Sequence, residues 1–134
     1  MTNAKKPTPA HALSPDLFEL YCAEWCTYFG HKDVKVTRST KDGGIDVTGD
    51  TFIAQVKLQE LPVGVKPIRE LAGILSTQKK TIGYFFTLNG YSHTAIQEAE
   101  ELGIALFEVK PFTSDISAKT PLATLVLEDA EFSN

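Results

Sequence analysis

Three residues of different chemistry stand at short intervals in mid-chain: Asp46, Gln55 and Lys57, with Gly43-Gly44 just ahead of the aspartate. A carboxylate and an amide oxygen are hard donors suited to a divalent ion, and an ammonium group can supply charge to a developing transition state. Hydrolysis of a phosphodiester calls for that combination together with an aimed water. Whether the three groups meet depends on the strands that carry them. Two runs rich in β-formers, residues 45–48 and 51–58, flank Gly49-Asp50. Glycine at the first central position suits a two-residue type II′ turn. With Thr48 and Thr51 closing that turn, Val47 pairs with Phe52 and Asp46 with Ile53. Side chains alternate along a strand, so Ile53, Gln55 and Lys57 share a face on which Asp46 is the diagonal neighbour of Gln55. Phe52, Ala54, Val56 and Leu58 form the opposite, apolar face. A surface strand could also show Gln and Lys to solvent, and from alternation alone that bland reading is the stronger.

The wider pattern changes the balance. Gly43-Gly44-Ile45-Asp46 followed by Gln55-Val56-Lys57 resembles the PD-(D/E)xK nuclease motif in the variant of Mrr-like restriction endonucleases, where Gln replaces the second acid. The resemblance runs in order from about Leu17 to Val109. It takes in Phe18-Glu19, Ser39-Thr40-Lys41-Asp42, Ile68-Arg69-Glu70-Leu71-Ala72-Gly73, Tyr84-Phe85-Phe86-Thr87 and Tyr91-Ser92-His93-Thr94-Ala95. It implies a restriction or defence-type endonuclease that hydrolyses DNA phosphodiester bonds with Mg²⁺, for which Mn²⁺ can substitute. By the same resemblance Asp46, the Gln55 side chain and the Val56 main-chain carbonyl bind the metal, and Lys57 orients or helps deprotonate the attacking water. Glu19 then holds a metal-bound water or a second ion. Without the resemblance, Glu19 reads as a solvated surface residue.

The elements that must position these groups can be read in order. Ser14-Pro15-Asp16 combines an N-cap, a proline at the first helical position and an acid near the positive end of the dipole, and Gly30 is the stop. Leu17, Phe18, Tyr21, Cys22, Trp25, Tyr28 and Phe29 form one broad apolar face, with Glu19 at its edge. Residues 34–38 alternate as a first strand. Residues 39–44 form a turn-rich loop where Gly43 and Gly44 allow close approach, to DNA among other things. Arg38 and Lys41 are candidate phosphate contacts there, equally readable as solvated charges. After the hairpin, Pro67 opens a helix to about Lys79, with Ile68, Leu71 and Leu75 packing and Gly73 marking a close approach. Arg69 reads as paired with an acid, and Lys79 and Lys80 as solvated. Residues 83–88 read as a buried central strand, 93–102 as a helix stopped by Gly103, and 104–109 as the next strand. Tyr91 reads as packing and His93 as a cap or a solvated residue. Two strand-helix-strand crossovers imply parallel pairing at this end of the sheet, with the hairpin antiparallel at the other.

The expected fold is a single α/β domain in the order α-β-β-β-α-β-α-β, a restriction-endonuclease-like core whose mixed β-sheet is flanked by helices. Residues 1–13 read as a disordered tail, 14–110 as the nuclease domain, and 111–134 as a C-terminal extension. Within that extension residues 122–127 offer a last strand or a pairing surface.

Composition bounds the rest. The 134 residues are 43% hydrophobic and 22% charged, ordinary for a globular protein. No apolar run approaches a membrane span or a signal-peptide core, so the chain reads as cytoplasmic with no membrane partner. Cys22 and Cys26 fall on the apolar helix face and read as buried thiols. The net charge of −4 weighs against unselective binding to phosphates, but residues 31–97 carry nine Lys or Arg against six acids and the acidity is mostly C-terminal. Partners implied are DNA, a second copy in a homodimer that would cut both strands, and a targeting protein. Two rivals stand beside restriction. One is a structure-selective nuclease like a Holliday junction resolvase, disfavoured by Gln55 and the acidity. The other is a non-catalytic nuclease-like module that binds DNA or protein.

Overall fold

In the computed structural model, which describes residues 5–7, 14–37, 47–110 and 115–134, Ser14 caps helix α1 (Pro15–Tyr28). Its hydroxyl accepts from the Leu17 N–H at 3.3 Å, satisfying a donor that the first turn would leave open. Gly30, at φ +103°, turns the chain out of the helix. Phe18, Tyr21, Cys22, Trp25, Cys26 and Tyr28 are buried, both cysteines as thiols. Leu17 is not: it is 51% exposed.

Among the described residues six strands follow, β1 (Lys35–Val36), β2 (Val47–Thr48), β3 (Phe52–Lys57), β4 (Ile82–Thr87), β5 (Ile104–Val109) and β6 (Ile116–Ala118). They form one mixed sheet in sequence order. β1, β2 and β3 pair antiparallel, β3, β4 and β5 parallel, and β6 closes the far edge antiparallel to β5. Helices α2 (Val65–Gln78) and α3 (His93–Leu102) make the two crossovers, and α4 (Pro121–Ser133) follows β6. The first eight elements appear in the expected order. Two layers of helix cover the sheet. Phe52, Ala54 and Val56 of β3 pack in the cluster with α1 and α4, while Ile53 packs with Ile68 and Leu71 of α2 and Ala95 and Ala99 of α3. Among the described residues, no helix is long and apolar enough to cross a membrane.

Several expectations are corrected. The hairpin does not close with a two-residue turn: Val47 pairs with Ala54 and Thr48 with Ile53, leaving a four-residue connection. A type II′ turn needs a positive φ at Gly49, and Gly49 is not among the glycines that have one. Residues 122–127 are helical, not a strand. Thr120 Oγ1 accepts from the Ala123 N–H at 3.3 Å and Pro121 takes the first turn, so the local start signal outweighs the apolar run. The added strand lies earlier, at β6. Helix α2 begins two residues before Pro67, which the unpartnered N–H groups of a first turn tolerate. Gly73 has open space where a Cβ would stand, and the close approach is at Gly83, against Leu75. Lys80 is not merely solvated, since its Nζ donates to Gly49 O at 2.9 Å and Asp50 O at 3.1 Å. Arg69 does pair, with Glu98 at 2.9 Å.

Candidate active site

Gln55 and Lys57 stand two residues apart near the C-terminal end of β3. Alternation with Ile53 puts both on the sheet face that α2 and α3 cover. Gln55 is buried and Lys57 half-buried, an arrangement that restrains the amide while leaving the ammonium group an outlet. Parallel pairing extends the row: Lys57 stands beside Thr87 of β4, and Thr87 beside Glu108 of β5. The Thr87 hydroxyl donates to Lys57 O at 2.9 Å, and Lys119 pairs with Glu108 at 3.5 Å. Polar groups therefore line the carboxyl ends of three parallel strands, the rim where open α/β sheets place their ligands.

Loops brace that rim. The Val63 N–H donates to Gly90 O and the Ser92 N–H to Val63 O, each at 2.9 Å, joining the segments that follow β3 and β4. The Tyr91 hydroxyl reaches Phe85 O at 2.9 Å and Phe107 O at 2.7 Å, which is the packing role expected of it. The Ser92 hydroxyl caps α3 by accepting from the Ala95 N–H at 3.1 Å.

Glu19 lies elsewhere in the layering. It is half-buried on α1, the helix that packs against the Phe52-Ala54-Val56 face, and lines a surface hollow with Asp16, Leu20 and Val36. The structure thus groups Gln55 with Lys57 on one face of β3 and sets the helix of Glu19 over the other. Asp46, Arg38, Lys41, Gly43 and Gly44 lie outside the described residues; Asp46 directly precedes Val47 in the chain. Among the described residues no group of three or more His, Cys, Asp or Glu is gathered to hold a metal ion.

At the opposite end of β3 is a polar network that sequence reasoning did not find. His31 Nδ1 lies 3.1 Å from Asp50 Oδ1 and Nε2 lies 2.7 Å from the Tyr84 hydroxyl. A carboxylate only accepts, so Nδ1 carries the proton and, in the neutral ring, Nε2 takes the Tyr84 O–H. Burial lowers the His31 pKa from its ordinary value, against the opposing pull of Asp50. Burial would raise the Asp50 carboxyl, but donors from Thr51, Lys32 and His31 outweigh it and hold the group below its ordinary range. Burial raises the Tyr84 phenol, so its proton stays on. No local sequence signal announces this network, because its members are separated by up to 53 positions.

The comparisons agree with this architecture. A family model described as a restriction endonuclease, Mrr_cat, matches residues 10–114. A solved structure, the DNA modification-dependent restriction endonuclease AspBHI, matches with a TM-score of 0.53 and 18% identity, over 86% of this chain and 35% of that one. That likeness speaks to the fold, and the chain spans only about a third of the relative's length. No curated protein matches the chain in sequence.

Proposed function

The chain belongs to the Mrr_cat restriction endonuclease family, and we propose that it is a divalent-metal-dependent endonuclease that hydrolyses phosphodiester bonds in DNA. The observation that carries this reading is the pairing of Gln55 with Lys57 on one face of β3, at the carboxyl rim of the parallel strands.

The donor set fits Mg²⁺ better than a softer ion. Gln55 offers an amide oxygen and Val56 a main-chain carbonyl, both hard and uncharged, and Asp46 supplies the carboxylate. Mn²⁺ suits the same donors. Bound there, the metal supplies Lewis acidity toward the phosphate and activates water. Lys57 would orient the attacking water and place positive charge beside the phosphate as charge develops there. Thr87 fixes the Lys57 backbone by its bond to the carbonyl oxygen. Because Gln55 brings no charge, binding is weaker than at a site with two carboxylates.

Glu19 is assigned a supporting role, holding a metal-bound water or a second ion. Arg38, Lys41 and the Gly43-Gly44 backbone serve as DNA contacts, the cations on phosphates and the glycines by close approach. Two copies related by a two-fold axis would cut both strands, and a targeting protein would choose the DNA. The test is incubation with supercoiled plasmid in Mg²⁺, Mn²⁺ or EDTA. Metal-dependent nicking is expected, and the absence of cleavage with either ion contradicts the reading.

A further inference from the structure

Joined strands can pair in more than one register, and the length of their connection selects among them. Here Val47 meets Ala54 rather than Phe52. It therefore stands two residues, roughly 6.8 Å, nearer the rim that carries Gln55 and Lys57 than a two-residue turn would put it. The contacts that hold the longer connection come from three other parts of the chain. His31 donates to Asp50 Oδ1 and the Lys32 N–H to Asp50 Oδ2 at 3.3 Å, while the Asp50 N–H donates to Lys32 O at 3.1 Å. Lys80 Nζ takes the carbonyls of Gly49 and Asp50. The His31 ring lies on Phe52, with centroids 4.2 Å apart, and is tied through Tyr84 to β4. A Cβ on Gly49 would collide with the Phe52 ring and stand 2.9 Å from Lys32 O, so glycine serves close packing there rather than a turn angle.

We propose that His31 is a positioning residue of the nuclease site: by clamping Asp50 it fixes the register in which Val47, the residue after Asp46, meets β3. The catalytic consequence rests on the nuclease reading; the clamp itself does not. The polar groups on the ring are the Asp50 carboxylate, itself held by the Lys32 N–H and through its main-chain carbonyl by Lys80, and the Tyr84 hydroxyl from β4; the His31 backbone N–H donates to Cys26 O of α1. In the neutral ring both nitrogens are matched, one giving to Asp50 and one receiving from Tyr84. Protonation turns Nε2 into a second donor aimed at a hydroxyl that was itself donating, and the Tyr84 side of the clamp must rearrange.

His31→Phe keeps a ring on Phe52 and removes both hydrogen bonds; Tyr84→Phe removes only the donor that favours the neutral ring. Each protein is assayed for plasmid nicking across pH, and the exchange of the Asp50 amide, which reports the bond to Lys32, is followed by NMR. His31→Phe should lower kcat by roughly 10²-fold, leave KM within about twofold and speed Asp50 amide exchange about tenfold or more. Tyr84→Phe spares the bond from His31 to Asp50 and should keep kcat and Asp50 amide exchange close to wild type. Wild-type kcat and exchange in His31→Phe, or a loss in Tyr84→Phe as large as in His31→Phe, would overturn the proposal. Exchange needs no cleavage. A wild type that cuts nothing therefore contradicts the nuclease reading, and Asp50 exchange then decides the clamp alone.

Discussion

Thr87 gives its hydroxyl proton to the carbonyl oxygen of Lys57 across the β3–β4 pair, at 2.9 Å and fully buried. The bond anchors the backbone of the residue whose ammonium group is proposed to orient the attacking water. Thr87→Val preserves shape and removes the donor. It should cost about 1 kcal/mol of stability and lower kcat several-fold through a looser Lys57 backbone. Urea denaturation and steady-state nicking read the two effects separately. An unchanged kcat at reduced stability would make the contact structural only.

Stability should depend on pH through His31. Its folded pKa lies below the ordinary 6.5, so the folded chain binds fewer protons than the unfolded one in that window. The contribution is complete above about the unfolded pKa and is lost as pH falls through the lowered folded value. Asp50, also depressed from 3.8, adds a second loss at more acid pH. Urea midpoints across the acid range should decline in the wild type, and the first decline should vanish in His31→Phe. A slope surviving in the variant would locate the titration elsewhere.

Two glycines in the α2–β4 region should respond oppositely to alanine. At Gly83 a Cβ would stand 2.5 Å from Leu75 Cδ1 and 3.4 Å from Ile104 Cγ1, and Gly83→Ala should destabilise by about 1–3 kcal/mol. Combining it with Leu75→Ala removes the collision, so the double variant should lose less than the sum of the two single changes. Gly73 sits on an exposed helix face with nothing within 4 Å, and Gly73→Ala should stabilise by about 0.5–1 kcal/mol. Thermal melts of the four proteins check both signs.

What the sequence discloses follows the range of the interactions involved. Helix α3 was legible as residues 93–102, stopped by Gly103, a local signal that acts within a few residues, although its cap is Ser92 and His93 stands exposed. The parallel order of β3, β4 and β5 followed from the crossovers that separate them. The hairpin register was not legible, since Gly49-Asp50 looks like a turn until His31 and Lys32 claim the Asp50 carboxylate and Lys80 the carbonyls of Gly49 and Asp50. Likewise α4 was misread, because the apolar run 122–127 carries no period of its own and Thr120-Pro121 decides it. At the site, alternation alone put Gln55 and Lys57 on one face. Thr87 and Glu108 entered only through strand register, which a single chain does not spell out.

Lys57 as the group that serves the attacking water is tested by single-turnover cleavage of plasmid DNA by Lys57→Ala beside the wild type in Mg²⁺, with a thermal melt of each. The variant should keep its cooperative unfolding and lose cleavage by at least about 10²-fold, since transition-state charge stabilisation of this kind is typically worth that much. Cleavage at the wild-type rate in a folded Lys57→Ala protein would contradict that role.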